Sequence, residues 1–162
     1  MSNQQVKNII KVLYEQSRKE SDHLAKFFLL WRCFNRWLAH ESREKTDKDM
    51  IKWLKQQSPS SSDLIECFER CKAKSNFTQT LRFLAKNSPY KDARDKDARG
   101  KQEIIVKDEN DFGNIIDAIY LIRCNLFHGG TDPLDAVSKR QLELALNILN
   151  VWVATLNQKI NG

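Results

Sequence analysis

DFGNIIDAIYLIRCNLFHGG, residues 111–130, is the stretch from which the rest of the chain is read. On a helix turning about 100° per residue, Phe112, Ile115, Ile116, Ile119, Ile122 and Leu126 fall on one arc. Asp117 and Cys124 lie opposite, and Arg123 falls inside the apolar arc. The helix is expected to start near residues 108–111, where acids suit an N-terminus, and to stop at Gly129, a left-handed C-cap residue. An unpaired guanidinium is costly in an apolar seam. Arg123 is therefore either held in a structural salt bridge or turned toward a second surface that needs it.

The chain has 162 residues, enough for one domain with a real core. One helical domain over 1–162 is expected, with its core at about residues 20–160. Glycine and proline number only 5 and 3, which argues for long helices and few turns. Lys and Arg outnumber Asp and Glu by 27 to 21, an excess that permits nucleic-acid binding without requiring it. No run approaches the ~18 consecutive apolar residues of a membrane span. The opening MSNQQVKNIIKVLYEQ lacks the features of a signal peptide, so a cytoplasmic location is expected. Cys33, Cys67, Cys71 and Cys124 are then expected as reduced thiols. Cys67 and Cys71 could share a helix face, but no histidine completes a zinc set, so no metal and no cofactor is expected.

Apolar spacing predicts a helix over residues 4–19 and a second from a Ser21-Asp22 cap to about His40. Leu24, Phe27, Phe28, Trp31, Phe34 and Leu38 form the stripe of the second helix, with Asn35 near its middle. A buried amide there must find partners, either a neighbouring backbone or a polar group such as Arg123. Trp37 and Leu29 lie off the stripe, which suggests burial on more than one side. Short helices are expected after a capping box at Thr46-Asp47-Lys48-Asp49, after Ser62 or Asp63, and over residues 77–84. Residues 87–102, with KDAR at 91–94 and again at 96–99, read as a mobile, charge-mixed loop. EIIVK (residues 103–107) reads as an extended lead-in. Ser138-Lys139-Arg140-Gln141 reads as the capping box of a last helix running to about Ile160. That helix carries a second apolar face, Leu144, Ile148 and Val151, which makes it either central in its own domain or buried in a dimer.

Arg123, Asn125 and His128 are the candidate chemistry. The guanidinium fork suits phosphate, and the imidazole moves protons near neutral pH. Together they suit RNA cleavage without a metal. His128 would handle the proton of the 2′-hydroxyl or of the leaving 5′-oxygen, and Arg123 the charge on the phosphorane. Asn125 would orient the histidine or the phosphate. Five helical steps put Arg123 and His128 about 140° apart, so either the chain turns at His128 or two protomers share the site. Asn35, Lys139 and Arg140 are candidates for substrate binding or site support.

The wording IRCNLFHGG, an R-x4-H pattern at a helix end, resembles the motif of the HEPN superfamily. The earlier FFLLWRCFNRWL resembles the FxxLWxxFN helix of bacterial members, and the likeness spans about residues 20–160. The resemblance implies an all-α, up-and-down helical bundle of HEPN type with additional short helices. It further implies a homodimer formed across the motif helices, with Arg123 and His128 catalytic and Asn125 as their polar companion. Active members are metal-independent endoribonucleases of toxin–antitoxin and other defence systems, so RNA and an antitoxin or operon partner are expected. Toxins of the nucleotidyltransferase-paired branch have a tyrosine two residues after the histidine, where this chain has Gly130. The alternative is a non-catalytic helical module that binds nucleotide, RNA or a protein.

Overall fold

The structure is a computed structural model, and it describes residues 1–93, 103–127 and 135–162. Seven helices account for the regular structure of those residues: α1 (Asn3–Lys19), α2 (His23–Ser42), α3 (Asp47–Lys55), α4 (Asp63–Lys72), α5 (Ser75–Lys86), α6 (Phe112–Phe127) and α7 (Ala136–Asn161). The fold is an all-α bundle. None of the helices is long and apolar enough to cross a membrane.

Most helices start on the side-chain caps that their sequences offer. Ser2 and Gln5 close a reciprocal capping box on α1. Asp22, Thr46 and Ser62 each accept a backbone N–H from the first turn of α2, α3 and α4. The last helix corrects the expectation. Its N-cap is Asp135, which accepts from the Ser138 N–H at 2.7 Å and from the Ser138 hydroxyl at 2.9 Å. Ser138 is therefore inside the first turn and buried, and the Ser138–Gln141 capping box does not form. A carboxylate at the cap satisfies two donors at once, which explains why the helix starts earlier.

The centre of the core is Trp152 of α7. Its ring lies 4.9 Å from Phe34 of α2, 5.0 Å from Phe68 of α4 and 6.1 Å from Phe112 of α6, all edge-on. Its indole N–H donates to the Leu64 carbonyl at 2.8 Å, so the one polar atom of the central ring is satisfied. The second apolar face of α7 is covered within the chain: Leu144 and Ile148 are buried and Val151 packs at the edge of the core. Of the two readings of that face, the structure shows the central helix. Trp37 is buried as well, so α2 is packed on two sides.

Residues 87–93 belong to the packed structure. Tyr90 and Ile104 exchange backbone hydrogen bonds of 2.8 and 2.9 Å in an isolated antiparallel bridge. Tyr90 is buried, and its hydroxyl donates to the Leu84 carbonyl at 2.6 Å. Val106 is buried beside them, so the extended reading of EIIVK holds for residues 103–107. The polarity of residues 87–93 hid this anchor because a single tyrosine supplies it. The remainder of the expected loop, 94–102, lies outside the described residues.

Candidate functional site

Arg123 sits on α6 with its side chain 17% exposed. Its guanidinium is enclosed chiefly by rings. The carbon Cζ lies 4.6 Å from the centroid of Phe127 and 5.8 Å from that of Trp31, within cation–π range of both. Tyr120 stacks on Trp31 at 6.1 Å and extends the aromatic wall, and Phe28 meets Phe127 edge-on at 5.9 Å. The apolar arc thus tolerates a cation because that part of the arc is aromatic.

The polar contacts of Arg123 are loose. Nη2 stands 3.7 Å from Oδ2 of Asp47, the first residue of α3. Nη1 donates to the Cys124 sulfur at 4.0 Å. Nε is buried and has no hydrogen-bond partner among the described residues. A guanidinium carries five N–H donors, so most of the donor capacity of this one is not taken up by short bonds. Three more buried polar atoms, all on α2, also have no partner among the described residues: Trp31 Nε1, Asn35 Oδ1 and Trp37 Nε1. Each such atom costs about 1–3 kcal/mol in a protein interior.

Asp47 reaches Arg123 through the pairing of α3 with α6. Lys55 at the far end of α3 bonds Asp117 at 2.9 Å, so the two helices run antiparallel, 47 beside 123 and 55 beside 117. Tyr120 reports the local electrostatics. Burial first, then Cys124 and the Asp47 carboxylate, push its hydroxyl up to about 12, while Arg123 opposes them. Cys124 lies opposite the apolar arc, as expected, and is nevertheless only 3% exposed. Contact with α3 and the aromatic wall buries a flank of α6 that the arc alone would leave open.

Asn125 has a different role from the one its position in the motif suggests. It is buried, its Oδ1 accepts from the Ala93 N–H at 2.9 Å, and its Nδ2 donates to the Lys91 carbonyl at 3.0 Å. Both ends of the amide are therefore engaged by the backbone of residues 91–93. Asn35 is half-buried on α2, and no hydrogen bond joins it to Arg123. Lys139 and Arg140 are exposed on the first turns of α7. Arg140 lies 5.5 Å over the Phe83 ring, which Lys86 also approaches at 5.8 Å, giving a basic aromatic spot where α5 ends and α7 begins. His128 lies outside the described residues, as do Gly129 and Gly130. The expected turn at His128 and the C-cap at Gly129 fall there too.

The structure therefore brings Trp31, Asp47, Tyr120, Cys124 and Phe127 around Arg123 and turns Asn125 away to the backbone. Asp47 is legible in the sequence only as a helix-capping residue, since a cap motif says nothing about a partner 76 positions later (47 to 123). No group of three or more metal-ligating side chains occurs among the described residues. No family model, curated relative or solved structure matches the chain.

Proposed function

We propose that this chain is a metal-independent endoribonuclease of HEPN type that acts as a homodimer, in the setting of a toxin or defence effector. The observation that carries the reading is the under-bonded Arg123 guanidinium, half-sunk in an aromatic wall with Nε unpartnered among the described residues and its nearest carboxylate at 3.7 Å. A guanidinium so placed is ready for a phosphate or for a second surface. A homodimer would supply a second Arg123 and a second His128 to the same site.

In the proposed reaction the ribose 2′-oxygen attacks the adjacent phosphorus while its proton passes to a base. His128 of one protomer accepts that proton, and His128 of the other protonates the departing 5′-oxygen. Arg123 from each side balances the charge of the phosphorane. The products are a 2′,3′-cyclic phosphate and a 5′-hydroxyl. Asn125 acts at one remove, by holding residues 91–93 against α6. Lys139 and Arg140 supply cations for the RNA backbone.

The test is an RNA cleavage assay in EDTA with end-group analysis. Cyclic phosphate ends that vanish in Arg123→Ala and in His128→Ala, both folded, support the reading. Cleavage that persists in both variants, or that needs a divalent cation, removes it. A second reading, a helical module that binds RNA or a partner protein without cutting, is favoured by one observation, the Asp47 carboxylate beside Arg123. RNA binding without cleavage by the folded wild-type chain would select it.

A further inference from the structure

On the other side of α2 lies a cavity of about 800 Å³ that shares no residue with the Arg123 wall. It is bounded by the start of α1, the last turns of α2, the start of α4 and the end of α7. On α2, Arg36 and His40 fall about 140° and 180° from Trp31 at about 100° per residue, so they leave the helix on a different side from the Arg123 wall.

The charge of the lining is not balanced. Its two carboxylates are already engaged. Glu41 accepts from the Ser62 hydroxyl at 2.7 Å and from the Asp63 N–H, and so caps α4 from outside. Asp63 pairs with Lys159 at 3.5 Å, and Lys159 is bonded also to Glu66. Three further cations line the same space, Lys7, Arg36 and Arg43, and no carboxylate lies within ion-pair distance of any of them among the described residues. His40 adds a half-buried ring packed on Trp37 at 4.9 Å. Two guanidinium forks and an ammonium around a concave space of this size match a small multiply charged anion.

The backbone at Arg43 offers a way to test its side chain. Arg43 is the C-cap of α2 at φ 59°, ψ 15°, and its N–H closes on the Ala39 carbonyl at 3.0 Å. It is the one non-glycine residue with positive φ among the described residues. Glycine is the usual occupant of this cap position because a Cβ is disfavoured there. Arg43 is exposed among the residues that line the cavity, at a cap position where any residue other than glycine gives up some local stability.

We propose that this cavity is a binding site for a small organic phosphate, held by Arg36 and Arg43 with Lys7 and His40 as further donors. The site is separate from Arg123 and does not depend on the ribonuclease reading.

The test is calorimetric titration of the full chain with ribose 5-phosphate, adenosine 5′-monophosphate and uncharged adenosine. The two phosphates bind at one site per chain and adenosine does not, and added salt weakens the binding. Arg36→Gln lowers affinity about tenfold, the loss expected for one charge-assisted contact. Arg43→Gly lowers affinity similarly while melting at the same temperature as the wild type or higher, because glycine relieves the left-handed cap. A merely structural Arg43 would show the stability gain with no change in binding, and that result overturns the proposal. So do the absence of phosphate binding at millimolar concentration, equal binding of adenosine, and loss of binding in Arg123→Ala with retention in Arg36→Gln.

Discussion

Arg123 Nη2 and Asp47 Oδ2 stand 3.7 Å apart, inside the range of an ion pair and beyond that of a hydrogen bond. The pair joins α6 to α3 without locking the guanidinium, because the stronger constraint on Arg123 is the ring wall of Phe127 and Trp31. Asp47→Asn is expected to change stability by less than about 1 kcal/mol, as for other partly exposed pairs. It should leave RNA cleavage in place, whereas Arg123→Lys, which keeps the charge and loses the fork, should lower it by about 10²-fold or more. Paired melting curves and single-turnover cleavage rates check this. Loss of cleavage in Asp47→Asn equal to that in Arg123→Lys would make Asp47 part of the reacting group.

Asn125 should behave as a structural amide. Its side chain satisfies Ala93 N–H and Lys91 C=O, and removing it leaves both without their partner. Asn125→Ala should cost about 1–3 kcal/mol and raise hydrogen exchange at the Ala93 amide. Any fall in cleavage should follow that loosening and shrink at lower temperature. An unchanged melting point with cleavage abolished would return Asn125 to the reacting group.

Cys33, Cys67 and Cys71 are expected to be inert in the folded chain. Burial pushes Cys33 and Cys67 up to about 12, and Cys71 is raised by burial as well, although its bond to Thr155 at 3.3 Å pulls the other way. Thiolate is the reactive form, so these three should resist a disulfide reagent at pH 8 and react fully once the chain is unfolded in guanidinium. Mass spectrometry of the native, reagent-treated chain checks the positions. Rapid native labelling of Cys33 or Cys67 would contradict the packing of α2 or α4.

Glu41 predicts a pH trend. Its carboxyl is raised above the usual range, first by burial, with the Ser62 and Asp63 hydrogen bonds opposing the shift. The folded chain therefore holds this proton more tightly than the unfolded chain. Its contribution is fully present below the ordinary carboxylate pKa and is lost as pH rises through the raised value. The melting temperature of the wild type relative to Glu41→Gln should fall as pH rises from about 4 to about 7. A relative melting temperature that stays flat, or rises, over that window would show that burial does not dominate at Glu41.

Much of the fold is legible in the chain itself. The caps at Asp22, Thr46 and Ser62 and the apolar spacing of α1, α2 and α4 depend on residues within a turn or two of one another. The exceptions are of two kinds. Asp135 outcompetes Ser138 as the last cap because it serves both a backbone and a hydroxyl donor. Tyr90 fastens the head of a polar segment with one ring and one hydroxyl, a signal too small for any composition window.

Periodicity and capping alone establish the set of helices, the burial of most apolar stripes and the anomaly of a cation in the stripe of α6. Both act between residues near in the chain, so both can be read along it. The surroundings of each polar group come instead from tertiary packing: rings and a distant aspartate around Arg123, backbone around Asn125, an unbalanced cationic cavity beside Arg43. Those depend on which helices meet and at what register, and helix packing is set by the joint shape of many side chains. No local pattern in the chain carries that information.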